Sequence, residues 1–191
     1  MTTPRHNTQV CPWWLAYTFD NPIRRLLHNP QKLLRGLVKE GDTVIDIGCG
    51  MGHFSIGMAK LVGPTGRVIS VDLQQEMLEI VRTRAERQNL QDHFHLHRCQ
   101  PDSLGVDEPA DFVLAFWMVH EVPNRENFLA EVRNLLKPEA RFLLVEPKLH
   151  VSAAVFQKTV DLARAVGLKL CVEPQVSFSR AVLFSLNSDA L

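Results

Sequence analysis

Asp46, Gly48, Gly50 and Gly52 stand at alternate positions in Val44-Ile45-Asp46-Ile47-Gly48-Cys49-Gly50-Met51-Gly52, where an apolar strand pattern runs straight into a helical one. Glycine turns with no β-carbon in the way, so a ligand can approach main-chain N–H groups at the N-terminus of the helix that follows. The spacing predicts a binding loop for a nucleotide-like ligand. A dinucleotide fingerprint, G-x-G-x-x-G, would need its third glycine at position 53, counted from Gly48; His53 is there, and the glycine falls one residue early at Gly52. That disfavours a pyrophosphate cradle. The next apolar run, 67–71, ends in Asp72, about the distance downstream at which an acid meets ribose hydroxyls in nucleotide-binding α/β units. A carboxylate can accept both hydroxyl hydrogens. Asp72 also precedes a helical pattern over 73–88 and could cap it, but beside Asp46 and the glycines ribose binding is the favoured reading.

These residues need strands and helices to hold them, and the patterns supply both. Helical segments are expected at 54–61, 73–88, 127–136 and, after the N-cap Ser152, as far as 166. Strands are expected at 44–47, 67–71, 93–98, 111–117, 141–146, 168–172 and 178–186, with turns at 63–66 and at Lys137-Pro138-Glu139-Ala140. Alternation of strand and helix predicts an α/β, doubly wound, mostly parallel seven-stranded sheet. The last two strands have no helix between them and must pair as a C-terminal antiparallel hairpin. Pro22 and Pro30 divide two short helices in residues 1–31, where Trp13, Trp14 and Tyr17 concentrate.

A chain of 191 residues, 46% hydrophobic and 22% charged, can bury one α/β core, and residues 1–191 are read as one domain. Zero formal net charge offers no general field for a polyanion, so a nucleic-acid partner is not expected. The densest basic patches, Arg24-Arg25 and 82–87, read as solvated helix faces. Cys11, Cys49, Cys99 and Cys171 form neither a C-x-x-C pair nor a compact framework, and neither a signal peptide nor an apolar run of bilayer length is present. A soluble, cytoplasmic protein without a membrane partner is the expectation.

The D-x-G-x-G-x-G segment, Asp72 and the closing hairpin together resemble class I S-adenosylmethionine-dependent methyltransferases over roughly 32–186. The resemblance implies S-adenosyl-L-methionine as cofactor, with the glycine loop against its amino-acid and ribose part. Ligands of open α/β sheets lie beyond the carboxyl ends of the strands, which adds Leu73, Cys99, Gln100, Trp117, His120, Glu121, Glu146, Lys148 and His150 to the residues of interest. Many family members hold the adenine amino group with an Asp after the third strand. Here that position is Cys99, so Gln100, Asp102 or backbone groups must supply the contact. Lys137-Pro138-Glu139-Ala140 likewise replaces the usual K-P-G-G. Leu73, Cys99, Gln100 and Trp117 are assigned to the cofactor site with Asp46, Asp72 and the three glycines.

In such enzymes the segment 116–123 walls the cofactor off from the acceptor. Methyl transfer needs an in-line approach to a carbon already activated by positive sulfur, and base help is optional. His120 could take a proton from the acceptor and Glu121 could orient it or pair with an ammonium; alternatively His120 packs beneath the next helix. The reading is a methyltransferase acting on a small-molecule acceptor by direct displacement, with residues 1–31 favoured as a lid, although their aromatic residues could equally plug the underside of the sheet, and a homodimer possible. The rivals are a non-catalytic S-adenosylmethionine-binding module and an NAD-dependent oxidoreductase. His93, His95 and His97 alternate on one expected strand, and His53, His120 and His150 could meet with Cys11 or Cys99 around a metal or metalloid acceptor, but no metal site is assigned.

Overall fold

Seven strands and five α-helices alternate along residues 27–186, which the computed structural model describes. They are α1 (Pro30–Leu33), β1 (Thr43–Ile47), α2 (His53–Val62), β2 (Arg67–Asp72), α3 (Gln75–Glu86), β3 (Phe94–Arg98), β4 (Ala110–Phe116), α4 (Arg125–Leu135), β5 (Leu136–Pro147), α5 (Ala153–Ala165), β6 (Lys169–Val172) and β7 (Ser179–Ser185). The strands form one sheet in the order β3-β2-β1-β4-β5-β7-β6. Pairing is parallel from β3 to β5 and antiparallel where β7 inserts between β5 and β6. The strand order reverses between β1 and β4, and ligand crevices of open α/β sheets open at such a switch point.

The apolar residues of β1 explain why the sheet is covered on both sides. Val44 packs with α2 residues such as Met58 and Val62, whereas Ile45 and Ile47 join the cluster containing Leu129, Val132 and Val160 of α4 and α5. Successive strand side chains point to opposite faces, so a strand apolar at nearly every position must be buried twice over. In α5, Phe156, Thr159, Val160 and Ala163 are buried, one stripe at helical spacing. Ser152 caps its start by accepting the Val155 N–H at 3.3 Å, and Asn124 caps α4 through the Asn127 N–H at 3.1 Å.

Three local expectations are corrected. Lys137-Pro138-Glu139-Ala140 is not a free turn: it lies within β5, where Leu136 already pairs with Ala110 and the register shifts before Phe112 meets Arg141. Asp111 anchors this irregular stretch, accepting from Lys137 Nζ at 2.6 Å and from the Thr43 N–H at 2.9 Å. His93 belongs to a 3-10 turn, Gln91–His93, with Nδ1 3.3 Å from the Gly66 carbonyl, so only His95 and His97 share a face of β3. The basic run 82–87 is not wholly a solvated face, because Arg84 reaches back to donate to the Met51 carbonyl at 2.8 Å. Cys11, Trp13, Trp14, Tyr17, Pro22 and Arg24-Arg25 lie outside the described residues.

Candidate active site

The glycine loop is built by close approach at one residue and openness at another. Gly48 has φ +67°, and a β-carbon there would lie 2.7 Å from Met118 Cγ, so only glycine lets the loop pack against the segment after β4. A β-carbon on Gly50, at φ +51°, would meet nothing within 4 Å. Gly52 precedes α2, where an added β-carbon would press Val81 Cγ2 at 2.9 Å. Behind the loop, Asp46 is buried and accepts the Ser55 hydroxyl at 2.5 Å, which fixes the end of β1 to the first turn of α2.

Asp72 ties the end of β2 both to the glycine loop and to the approach to α3. Its Oδ2 accepts the Gly50 N–H at 2.9 Å and its Oδ1 the Gln74 N–H at 3.0 Å, just before α3. Each carboxylate oxygen keeps acceptor capacity beyond these bonds. Burial raises its pKa above the ordinary 3.8, against the opposing pull of the Gln74, Gly50 and Leu73 N–H groups. Cys99 is half-buried nearby; burial, with the charge of Asp72 adding, pushes its thiol up to about 11, so it is protonated at neutral pH. Gln100 is exposed, its backbone paired with that of Ser103. Glu131 of α4 steadies this turn by accepting the Leu104 N–H at 2.7 Å.

Asp46, Gly48, Gly50, Asp72, Leu73, Cys99, Gln100, Trp117, His120 and Glu121 all line one cavity of about 1460 Å³. Gly52 is the single assigned site residue outside that lining. The volume exceeds the roughly 300–1,000 Å³ of ordinary ligand pockets, leaving room for a cofactor and an acceptor together. Trp117 stands in the left-handed region at φ +63°, its indole N–H donating to Ser179 Oγ at 2.9 Å and its ring meeting the His28 edge at 5.0 Å.

His120 is gripped by a residue to which the sequence reading gave no role. Glu146, buried at the end of β5, accepts the His120 backbone N–H at 3.0 Å through Oε1, and its Oε2 lies 2.6 Å from His120 Nδ1. Burial of the imidazole opposes protonation, but the hydrogen bond and charge of Glu146, with Glu121 adding, outweigh it and hold the pKa above 6.5. His150 stacks on His120 with ring centroids 6.4 Å apart. His53 does not join them: its Nε2 is 2.8 Å from the His28 carbonyl. Among the described residues no group of three or more His, Cys, Asp or Glu is arranged to hold a metal. Glu146 carried a sequence signal, an acid closing the apolar run Phe142-Leu143-Leu144-Val145. His28 and Arg84 carried none.

A family model described as a methyltransferase domain matches residues 38–181. The chain belongs to that family. This methyltransferase domain is 35% identical over 112 residues to a demethylmenaquinone methyltransferase of Lactobacillus johnsonii, covering 57% of this chain and 45% of the relative. It is 31% identical over 109 residues to a 2-phytyl-1,4-naphtoquinone methyltransferase of Trichormus variabilis, covering 56% and 48%. The chain thus spans about half the length of the curated relatives it matches. A solved SAM-dependent methyltransferase from Aquifex aeolicus superposes with a TM-score of 0.81 at 22% identity, over 91% of this chain and 97% of that one. Aeropyrum pernix fibrillarin, solved with natively bound S-adenosyl-L-methionine, gives 0.63 at 16% identity, covering 80% and 71%. S-adenosylmethionine is the cofactor that goes with the family. The site fits it, with open space at Gly50, acceptor capacity on a buried carboxylate at Asp72 and a cavity of sufficient size.

Proposed function

We propose that this chain transfers the methyl group of S-adenosylmethionine to a small-molecule acceptor by direct displacement. The observation that carries the reading is one cavity lined both by the glycine loop with Asp72 and by His120 with Glu121. The cofactor supplies a methyl carbon on positive sulfur, which departs as a neutral thioether. In this reading Gly48, Gly50 and Asp72 hold the cofactor, with Asp46 and Gly52 shaping the loop from behind. Leu73, Cys99, Gln100 and Trp117 wall it in. His120 and Glu121 face the acceptor, where a group able to take a proton near neutral pH speeds attack by a protonated nucleophile.

The cavity's size and the relatives' names, which speak of quinone-type substrates for those proteins, favour a small organic acceptor over a macromolecule. Leu27 and His28, the first described residues, line the cavity, while most of the segment expected as a lid, 1–31, lies outside the described residues. No helix among the described residues is long and apolar enough to cross a membrane, and Cys49, Cys99 and Cys171 are free thiols, as a reducing cytoplasm favours.

Calorimetric titration with S-adenosylhomocysteine and, separately, NAD tests the cofactor. Binding of the first alone, followed by methyl transfer in a screen of phenols, thiols, amines and arsenite, is the expected result. Binding without turnover of any acceptor favours a ligand-sensing module, and NAD binding would overturn the reading.

A further inference from the structure

Both oxygens of one buried carboxylate are devoted to one residue. Glu146 closes β5 at 1% exposure; its Oε1 takes the His120 N–H at 3.0 Å and its Oε2 faces Nδ1 at 2.6 Å. The two residues lie 26 apart in sequence and meet because β4 and β5 are parallel neighbours whose carboxyl ends coincide. An ionised carboxylate can only accept, so Nδ1 carries the hydrogen at that contact. In neutral histidine the lone pair is then on Nε2, which stands 3.9 Å from Glu121 Oε1, beyond hydrogen-bond reach of it. A buried carboxylate is costly unless it is hydrogen-bonded and paired, and His120 provides both.

We propose that Glu146 is a positioning residue that locks His120 in the Nδ1–H tautomer, making Nε2 the base for the acceptor, and that the acceptor is therefore a molecule whose nucleophilic oxygen, nitrogen or sulfur bears a proton. This rests on the methyltransferase reading. The step balances: the acceptor proton passes to Nε2, the acceptor lone pair bonds the methyl carbon, and the carbon–sulfur pair stays on sulfur as the sulfonium becomes a thioether. The imidazolium, stabilised by Glu146, returns its proton to water across its exposed quarter. The charged and titratable groups around the ring are Glu146 from β5, Glu121 on the same turn, Arg125 at the start of α4 and His150 from the loop after β5. The two glutamates favour the imidazolium and Arg125 opposes it.

Nitrogen-15 NMR of the full chain, with and without S-adenosylhomocysteine, reads the tautomer directly. The wild type is expected to show neutral His120 as Nδ1–H, with a titration midpoint above 6.5. In Glu146→Gln the midpoint falls, the Nδ1–H preference is lost, and S-adenosylhomocysteine affinity stays within about threefold. With an acceptor from the screen, kcat drops about tenfold or more while KM holds, its pH profile moves with the midpoint, and Glu146→Asp recovers part of the loss. An Nε2–H tautomer in the wild type overturns the proposal without any variant. So does an unmoved midpoint in a folded Glu146→Gln, or methyl transfer confined to acceptors with no proton on the nucleophile. Failure of S-adenosylhomocysteine to bind counts against the methyltransferase reading instead, since the tautomer is measured without it.

Discussion

The Asp72 carboxylate accepts the Gly50 N–H at 2.9 Å, so the acid that ends β2 braces the glycine loop that follows β1. In the proposed function, cofactor recognition and loop geometry share this one side chain. Asp72→Ala leaves the Gly50 and Gln74 N–H groups without their acceptor, and it is expected to weaken S-adenosylhomocysteine binding by about 1–3 kcal/mol and to lower stability by a similar amount. Calorimetry and urea unfolding measure the two separately. A loss of affinity with no loss of stability would assign Asp72 to the ligand alone; unchanged affinity in a folded variant would sink the ribose role.

The charge state of Asp72 adds a pH dependence. Burial raises its pKa above 3.8, so the folded protein takes up this proton at a higher pH than the unfolded chain does. The sign follows: Asp72 favours folding at low pH, and its contribution is lost as pH rises through the folded pKa. Ligand binding should run the other way, because the ionised form is the stronger acceptor for hydroxyls. Affinity for S-adenosylhomocysteine is expected to fall as pH is lowered from neutrality towards 3.8, starting above the ordinary carboxylate range. In Asp72→Asn this part of the pH dependence should vanish, and a variant that keeps the full wild-type slope refutes the assignment.

His120 sets a second pH window. Its folded pKa lies above 6.5 because Glu146 and Glu121 outweigh the desolvation of the ring. A cationic group with a raised pKa adds stability that is fully present below the unfolded value and is lost as pH rises through the folded value. Thermal midpoints should therefore decline as pH rises from 6.5 through the folded pKa, and His120→Gln should flatten the decline. Equal slopes in wild type and variant would mean that the Glu146 contact does not favour the imidazolium.

The strands, most helices and the glycine loop were legible because each is written in local pattern: apolar runs, glycine spacing, and caps such as Ser152. The antiparallel pairing of β6 with β7 followed from the short link between them, but that link does not by itself set β7 beside β5. What escaped was written in distance. The His120–Glu146 contact joins the ends of β4 and β5, and periodicity does not carry that pairing, though it did place both residues after strands. Lys137 to Ala140 looked like a turn because proline and its neighbours mimic one, yet pairing of Leu136 with Ala110 and the grip of Asp111 on Lys137 draw the segment into the sheet. Arg84 resembled its solvated neighbours, and only the fold reveals that it reaches Met51.

Gly48 and Gly50 share a positive φ but differ in what surrounds them. Alanine at either position bears roughly 1–2 kcal/mol of left-handed backbone strain. At Gly48 it also drives a methyl to 2.7 Å from Met118 Cγ, so the total destabilisation should exceed that of Gly50→Ala by at least about 1 kcal/mol. Gly50→Ala meets no protein atom within 4 Å, and its penalty is expected in ligand affinity as well as in strain. Urea unfolding paired with S-adenosylhomocysteine titration separates them. If Gly50→Ala proved the less stable of the two, the packing of Gly48 against Met118 would not be what the loop depends on.

Phe178 and Trp117 both hold left-handed backbones, at φ +56° and +63°, and only one is compensated by packing. Trp117 is set between Phe116 and His28 and donates to Ser179, whereas Phe178 is 71% exposed on the wall of the cavity. Glycine at 178 relieves strain of about 1 kcal/mol and forfeits little buried area, while giving back a similar amount through the freer unfolded chain. Phe178→Gly should therefore change stability by less than about 1 kcal/mol. Trp117→Gly loses a packed aromatic ring and a hydrogen bond and should cost about 3 kcal/mol or more. A strained, exposed aromatic at a cavity mouth has its return in what it touches when the site is filled. In Phe178→Gly the KM for an acceptor found in the screen is expected to rise several-fold with S-adenosylhomocysteine affinity unchanged. Equal stability losses in the two variants would instead mean that Phe178 is held by the fold.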